Sequence, residues 1–251
     1  MNKSQISISR VLGKLDEYFA KNDYESAEKH LLYWLNEASA LGDFRSELPI
    51  RNELMGLYRK LGKKEQALDM TNCALDLISR AEISESVASA TTYLNCATVY
   101  KAFGMSKKAL PVFEKAKKIY ESELDSTDFR LGGLYNNMAL ALVDEKRFCE
   151  AREFYEKAIS VMSANEGKEL EVAITHLNIA SASESEFGLE NSQTEVENRL
   201  KIAQNILDTY QNRDGYYAFV CEKCASVFGY YGYFAYENEL MERARRIYGE
   251  N

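Results

Sequence analysis

The sequence predicts an all-α protein, a right-handed α-solenoid built from about six helical hairpins. Two observations predict this fold class. A pattern of small and aromatic residues recurs about every forty residues, and the chain contains only two prolines, Pro49 and Pro111. Because proline interrupts helices, most of the chain is free to be helical. Repeats of this length are typical of stacked hairpins, each of which buries its apolar face against the next.

The strongest part of the pattern is an alanine followed by an aromatic residue four positions later and a second alanine seven positions later. Its copies are Ala109, Phe113 and Ala116, then Ala151, Tyr155 and Ala158, with a weaker copy at Ala67, Thr71 and Ala74. Alanine allows two helix axes to approach closely, whereas an aromatic ring fills the hole between successive hairpins. The leading alanines, with Ala27 before them, are 40, 42 and 42 residues apart.

These intervals predict one solenoid domain over residues 1–251. The predicted units span residues 5–42, 44–82, 84–124, 127–166, 168–210 and 214–249. The turns agree with this division, because Gly62 and Gly104 fall between the two helices of the second and third units. Glycine is the residue that most easily adopts the left-handed conformation that ends a helix.

The alanine and aromatic spacing resembles the tetratricopeptide repeat and favours it over HEAT and armadillo repeats, which have a similar length. A step of 42 residues resembles the kinesin light chain-like subgroup, whose units open with Leu-Asn-Asn-Leu-Ala. The fourth unit here opens with Tyr135-Asn136-Asn137-Met138-Ala139, the third with Tyr93-Leu94-Asn95-Cys96-Ala97, and the fifth with His176-Leu177-Asn178-Ile179-Ala180. The resemblance covers about residues 44–182.

One asparagine per unit is predicted to face the inner, concave side of the solenoid. Asn95, Asn137 and Asn178 each stand two residues before a core alanine, about 200° away around a helix. An asparagine side chain has one acceptor and two donors, enough to pair with a peptide C=O and N–H together. The resemblance implies that this row holds the backbone of a bound peptide. Alternatively, the amides bond the neighbouring repeat and fix its orientation.

Other residues of the inner stripe are predicted to assist the asparagine row. They are small or weakly polar side chains with one lysine at the edge, namely Asn136, Thr98, Ser181 and Lys101. A stripe with so few basic residues suits the close approach of another backbone. It does not suit an ionic clamp on a terminal carboxylate.

The aromatic cluster near the C-terminus has two interpretations. Six aromatic residues lie between Phe228 and Tyr236, too many for one helix face to bury in one core. Some are expected to cap the final hairpin, as terminal repeats require. The others, Tyr230, Tyr231, Tyr233 and Phe234, are candidates for a homodimer or partner interface, where tyrosine is enriched.

Composition excludes several classes of partner. The net charge is −8, with 46% hydrophobic and 28% charged residues. An acidic chain is repelled by phosphate backbones and by anionic lipid surfaces, so neither nucleic acid nor a membrane is an expected partner. Residues 1–5 lack the apolar core of a signal peptide, and the five scattered cysteines are typical of reduced thiols. We therefore expect a cytoplasmic protein.

No catalytic, metal or cofactor site is predicted. Cys221 and Cys224 form a lone C-x-x-C without the βαβ surroundings of redox motifs or the further ligands of zinc sites. The two histidines, His30 and His176, lie in distant units. We interpret these cysteines as packing residues, and acidic residues such as Glu184 and Glu186 as solvated surface charges.

The sequence therefore predicts a non-enzymatic scaffold that binds a peptide or an extended protein segment in its concave groove. Two alternatives remain open. One is an assembly module that self-associates through the aromatic C-terminal repeat. The other is a regulator of an enzyme or of a transcription factor.

Overall fold

A computed structural model describes residues 6–249, and within this range the chain contains twelve α-helices and no β-strand. They are α1 (Ile8–Phe19), α2 (Tyr24–Leu41), α3 (Phe44–Lys60), α4 (Lys64–Arg80), α5 (Val87–Ala102), α6 (Ser106–Glu123), α7 (Phe129–Asp144), α8 (Phe148–Ser163), α9 (Glu169–Phe187), α10 (Leu189–Thr209), α11 (Gly215–Tyr230) and α12 (Phe234–Tyr248). The predicted all-α fold of about six hairpins is confirmed. Contacts divide the chain into two compact units, with the boundary between Glu123 and Leu124.

The first unit contains the hairpins α1–α2, α3–α4 and α5–α6. The helices of each hairpin pack on each other, and α5 packs on both α3 and α4. The alanines that lead the repeat pattern, Ala27, Ala67 and Ala109, are fully buried. Their burial follows from the pattern, because a methyl side chain at a helix crossing leaves no room for solvent.

Short polar residues and glycines set the ends of these helices. Asp23 and Asp43 precede α2 and α3, and each carboxylate accepts a hydrogen bond from a backbone N–H of the first turn. Gly62 ends the α3 segment in the left-handed region, with φ of +68°, which allows α4 to begin two residues later. Both prolines lie inside helices, Pro49 in α3 and Pro111 in α6, where each removes one backbone donor.

The second unit contains the hairpins α7–α8, α9–α10 and α11–α12. Helix α9 is central, because it packs on α10 and also on α7, α8 and α11. Ala151, Tyr155 and Ala158 of the repeat pattern are buried along α8. The sequence therefore places the same two residue types at the hairpin crossings of both units.

The last hairpin buries part of its aromatic cluster. Phe228 and Tyr236 lie in the core with their ring centroids 4.7 Å apart. Arg243 of α12 donates to the Tyr217 hydroxyl at 3.0 Å and to Asp208 at 2.7 Å, which connects α12 to α11 and α10. Across residues 6–249, no helix combines the length and apolar character needed to span a bilayer.

Candidate functional site

In the first unit, the facing sides of α3 and α5 line an open-sided cavity of about 650 Å³. Along α3, cavity residues recur every four positions, at Phe44, Leu48 and Asn52, so they share one helix face. Along α5, Ala88, Thr91, Thr92 and Asn95 form the matching face, and Ile83 and Ser86 precede that helix. The volume lies within the range of ordinary ligand pockets, about 300–1,000 Å³.

Asn95 is the predicted groove residue that lines this cavity, and it is half-buried. Thr91, one turn earlier, shares a 2.7 Å hydrogen bond with the hydroxyl of Tyr120. Thr98, one turn later, donates to the Leu94 carbonyl of its own helix at 2.8 Å, and Lys101 is half-buried in the last turn. Of these four, Thr91 and Asn95 are cavity-lining residues.

Asn52 and Glu53 are cavity residues that the sequence pattern did not select as site residues. Asn52 Nδ2 donates to Thr92 Oγ1 at 3.2 Å, while its buried Oδ1 accepts no hydrogen bond from residues 6–249. Burial and the negative charge of Asp16 raise the pKa of the Glu53 carboxyl. Glu53 occupies the slot that holds Asn95 in the next unit, which is the sequence signal that would have identified it.

In the second unit, Asn136, Asn137 and Asn178 are half-buried on α7 and α9. Asn178 Nδ2 donates to Asn136 Oδ1 at 3.0 Å, which links two successive hairpins. Asn137 Nδ2 donates to the Gly133 carbonyl of its own helix at 2.8 Å, and the exposed Ser181 donates to Leu177. Asn178 and Asn136 therefore form the kind of bond that the alternative interpretation expects, in which the amides fix the orientation of neighbouring repeats. A continuous row of asparagines from Asn95 to Asn178 stays a prediction.

The turn between α11 and α12 exposes most of the predicted interface residues. Tyr230 is 70% exposed and Phe234 is 63% exposed, with Tyr233 also at the surface. Tyr231 is half-buried. The hydroxyls of Tyr230 and Tyr231 donate to the two carboxylate oxygens of Glu184 at 2.7 and 2.8 Å.

The interpretation of Glu184 and Glu186 as solvated surface charges is therefore wrong. Glu184 receives the two tyrosine hydroxyls, and Glu186 pairs with Arg152 of the preceding hairpin. Both contacts join residues at least 34 positions apart in the chain. Local sequence does not reveal such partners.

Burial in the second unit favours the neutral forms of a histidine and a cysteine. Cys221 and Cys224 are buried, and burial raises the pKa of the Cys224 thiol to about 12. Burial, reinforced by the charge of Arg199, lowers the pKa of His176 to about 4. Among residues 6–249, no group of three or more His, Cys, Asp or Glu side chains has the arrangement of a metal site.

Comparison with known families explains the spacing of the hairpins. A family model of the tetratricopeptide repeat matches residues 48–122, and a second model of the same repeat matches residues 133–163. This chain contains tetratricopeptide repeats. The matched residues cover the second, third and fourth hairpins, where the alanine and aromatic pattern is strongest.

Solved structures with tetratricopeptide repeats are similar in fold. BtubC (BKLC) from P. vanneervenii superposes with a TM-score of 0.67 at 19% identity, covering 81% of this chain and 82% of BtubC. A kinesin light chain-like protein of Podospora anserina with nearly identical repeats has a TM-score of 0.54 at 18% identity, covering 80% of this chain and 94% of that protein. A search against curated proteins gives no significant match.

The repeats establish the general class of the protein. Tetratricopeptide repeats are protein–protein interaction scaffolds, because their stacked helices present extended binding surfaces. They are typically non-catalytic. A protein partner therefore follows from the fold at this level.

Proposed function

We propose that the chain binds a peptide or an extended protein segment along the first helices of its hairpins, without catalysis. The observation that carries this proposal is the cavity between α3 and α5, because the predicted groove residue Asn95 lines it. Thr91 is already bonded to Tyr120 and Asn52 Nδ2 to Thr92, whereas no hydrogen bond within residues 6–249 occupies the Asn95 amide.

An unoccupied primary amide beside a cavity suits a main-chain partner. One asparagine side chain can accept from a peptide N–H and donate to a peptide C=O, so it recognises backbone without reading sequence. In the second unit, Asn137 donates to its own helix and Asn178 to Asn136, and each amide keeps further hydrogen-bonding capacity. We therefore assign the main role to Asn95 and accessory roles to Asn137 and Asn178.

Selection from a displayed library of random peptides tests the proposal. Peptides that bind the wild-type chain are synthesised, and their dissociation constants are measured by fluorescence polarisation. We expect Asn95→Ala to weaken every selected peptide about 3- to 10-fold, the size of one hydrogen bond, whatever its side chains. Methylation of single backbone nitrogens in a selected peptide should reproduce the loss at one position.

Asn198→Ala is the matched control, because Asn198 is an exposed asparagine on α10, the second helix of its hairpin. It should leave all peptide affinities unchanged. Equal affinities of wild type, Asn95→Ala and Asn198→Ala, with circular dichroism unchanged, would reject the main-chain role. Enrichment of no peptide at all would reject groove binding itself.

A second function, self-association through the C-terminal turn, is favoured by the exposure of Tyr230 and Phe234. The test is the molar mass by light scattering after size exclusion. Serine at the exposed residues Tyr230, Tyr233 and Phe234 should convert a dimer into a monomer, with Tyr231 retained because it is half-buried. A monomeric wild-type chain at high concentration would rule this function out.

A further inference from the structure

The cavity between α3 and α5 has an apolar wall. Phe44, Leu48 and Pro49 of α3 lie opposite Ala88 of α5, and Ile83 closes the side before α5. A side chain that enters this space is removed from water along its aliphatic part, which favours binding in proportion to the apolar area buried. The wall therefore suits a guest with a long aliphatic stem.

One polar atom that lines the cavity is a buried hydrogen-bond acceptor without a donor in residues 6–249. Asn52 Oδ1 is buried and accepts no hydrogen bond from the described part of the chain. Its amide nitrogen is already committed to Thr92, which in turn donates to the Ala88 carbonyl. A buried acceptor without a donor is costly, so a guest that supplies a donor recovers this free energy.

Glu53 adds a carboxylate to the same end. Within residues 6–249 it forms no ion pair, and burial together with the charge of Asp16 raises the pKa of its carboxyl. The nearby cation on the same helix is unable to compensate it, since Arg51 is bonded to Glu47 at 2.6 Å. This end of the cavity is an anionic site without a counter-charge.

The positive charge that lines the cavity lies at the other end. Arg45 precedes Glu53 by eight residues, about 12 Å along a helix, and its guanidinium lies over the ring of Phe44. The cavity is thus polarised, with an arginine at one end and, at the other, the unsatisfied Asn52 Oδ1 beside the Glu53 carboxyl. A guest that complements the far end carries donors and a positive charge.

We propose, resting on the peptide-binding function above, that this cavity receives an arginine side chain of the bound segment. Its aliphatic stem lies against Leu48 and Pro49, and its guanidinium donates to Asn52 and Glu53. Guanidinium fits better than ammonium, because its planar fork presents five N–H donors and reaches two acceptor groups together. The bound segment is therefore basic at this position, although the inner stripe as a whole carries little charge.

A panel of extended glycine- and serine-spaced peptides with one varied residue tests this specificity. The varied residue is arginine, lysine, citrulline, norleucine or glutamate, and dissociation constants are measured by fluorescence polarisation. Citrulline keeps the shape of arginine without its charge. We expect the arginine peptide to bind at least about five-fold tighter than the citrulline peptide, the size of a charge-assisted hydrogen bond. Lysine should be intermediate, and glutamate weakest.

Glu53→Gln should bring the arginine-to-citrulline ratio close to one while leaving the norleucine peptide unchanged. Glu65→Gln is the matched control, because it removes the same charge from an exposed position on α4 that does not line the cavity. This control should keep the wild-type ratio. Circular dichroism of both variants checks that they are folded.

The outcomes separate this inference from the proposed function. A ratio near one in the wild type, or a ratio that survives Glu53→Gln, overturns the arginine site. If Asn95→Ala still weakens all five peptides alike, the groove function stands. If none of the five peptides binds, the arginine site fails, while the groove function is decided by the library selection. If Asn95→Ala weakens none of them, the main-chain role of Asn95 fails.

Discussion

The side-chain amide of Asn178 donates a 3.0 Å hydrogen bond to the amide oxygen of Asn136, from α9 to α7 of the preceding hairpin. Asn137, the adjacent residue on α7, bonds only within its own helix in the contacts described, to the Gly133 carbonyl. Two neighbouring asparagines therefore have different tasks. Asn136 fixes the packing of successive repeats, whereas the side-chain oxygen of Asn137 accepts no bond inside the second unit.

A double-mutant cycle distinguishes the two tasks. We expect Asn136→Ala and Asn178→Ala to show a coupling energy of about 0.5–1 kcal/mol in the free energy of unfolding, because each single substitution breaks the same half-buried bond. Urea unfolding followed by circular dichroism measures it.

The control cycle pairs Asn137→Ala with Asn178→Ala. The described contacts contain no bond between these two side chains, so their effects should add within experimental error. Equal coupling in both cycles would contradict the assignment of Asn136 as the partner of Asn178.

Two adjacent glycines of α7 provide a second comparison. A Cβ atom on Gly133 would meet no atom within 4 Å, whereas one on Gly132 would lie 2.7 Å from Met162 Cγ. Since alanine favours a helix over glycine by about 0.5–1 kcal/mol, Gly133→Ala should stabilise the protein by that amount. Gly132→Ala should be less stable than Gly133→Ala by about 1 kcal/mol or more, because Met162 must move.

Thermal or urea unfolding of the two alanine variants measures this difference. The variants share one helix and one chemical change, so helix propensity cancels between them. A Gly132→Ala variant as stable as Gly133→Ala would show that the space around Met162 relaxes without cost. When the reference protein is Met162→Ala, adding Gly132→Ala should carry no such penalty, because the side chain that the added methyl group would meet is absent.

The sequence predicted those parts of the fold that depend on residue size at fixed spacing. Ala67, Ala109 and Ala151 are at most 1% exposed, because a crossing of two helices admits only a small side chain. The outer hairpins lie beyond the ranges that the family models match, yet they are also helical. Helix packing requires side chains of suitable volume rather than particular residue types. The outer hairpins therefore form although their sequences match the repeat pattern poorly.

The partners of polar side chains could not be predicted in the same way. Choosing Asn136 rather than Asn137 for Asn178 requires the rotation of α7 relative to α9, which spacing along one helix does not contain. The unpaired Oδ1 of Asn52 depends equally on where Thr92 lies. Glu184 meets tyrosines 46 and 47 residues away, from a different hairpin. Such contacts follow from the angle between helices.

Stability should fall in mild acid because of His176. Burial and the charge of Arg199 lower the pKa of His176 from 6.5 to about 4, although Glu195 acts in the opposite direction. The unfolded chain therefore takes up a proton at this histidine before the folded chain does, and stability decreases as the pH falls through 6.5 towards 4. The expected loss between pH 7 and pH 5 is about 2 kcal/mol.

Urea unfolding of wild type and His176→Gln at both pH values isolates this contribution, because the other titrating groups are common to the two proteins. If the free energy of unfolding changes equally with pH in wild type and His176→Gln, the histidine is not kept neutral by its surroundings.

The five cysteines should differ in reactivity according to burial. Cys149 is exposed, whereas Cys96 and Cys224 are buried, and burial raises the pKa of both of these thiols to about 12. Because the thiolate is the reactive form, N-ethylmaleimide at neutral pH should modify Cys149 first and reach Cys96, Cys221 and Cys224 only when the chain opens. Peptide mass spectrometry over time measures each site. Cys149→Ser should remove the fast phase, and modification of Cys224 at the rate of Cys149 would contradict its packing role.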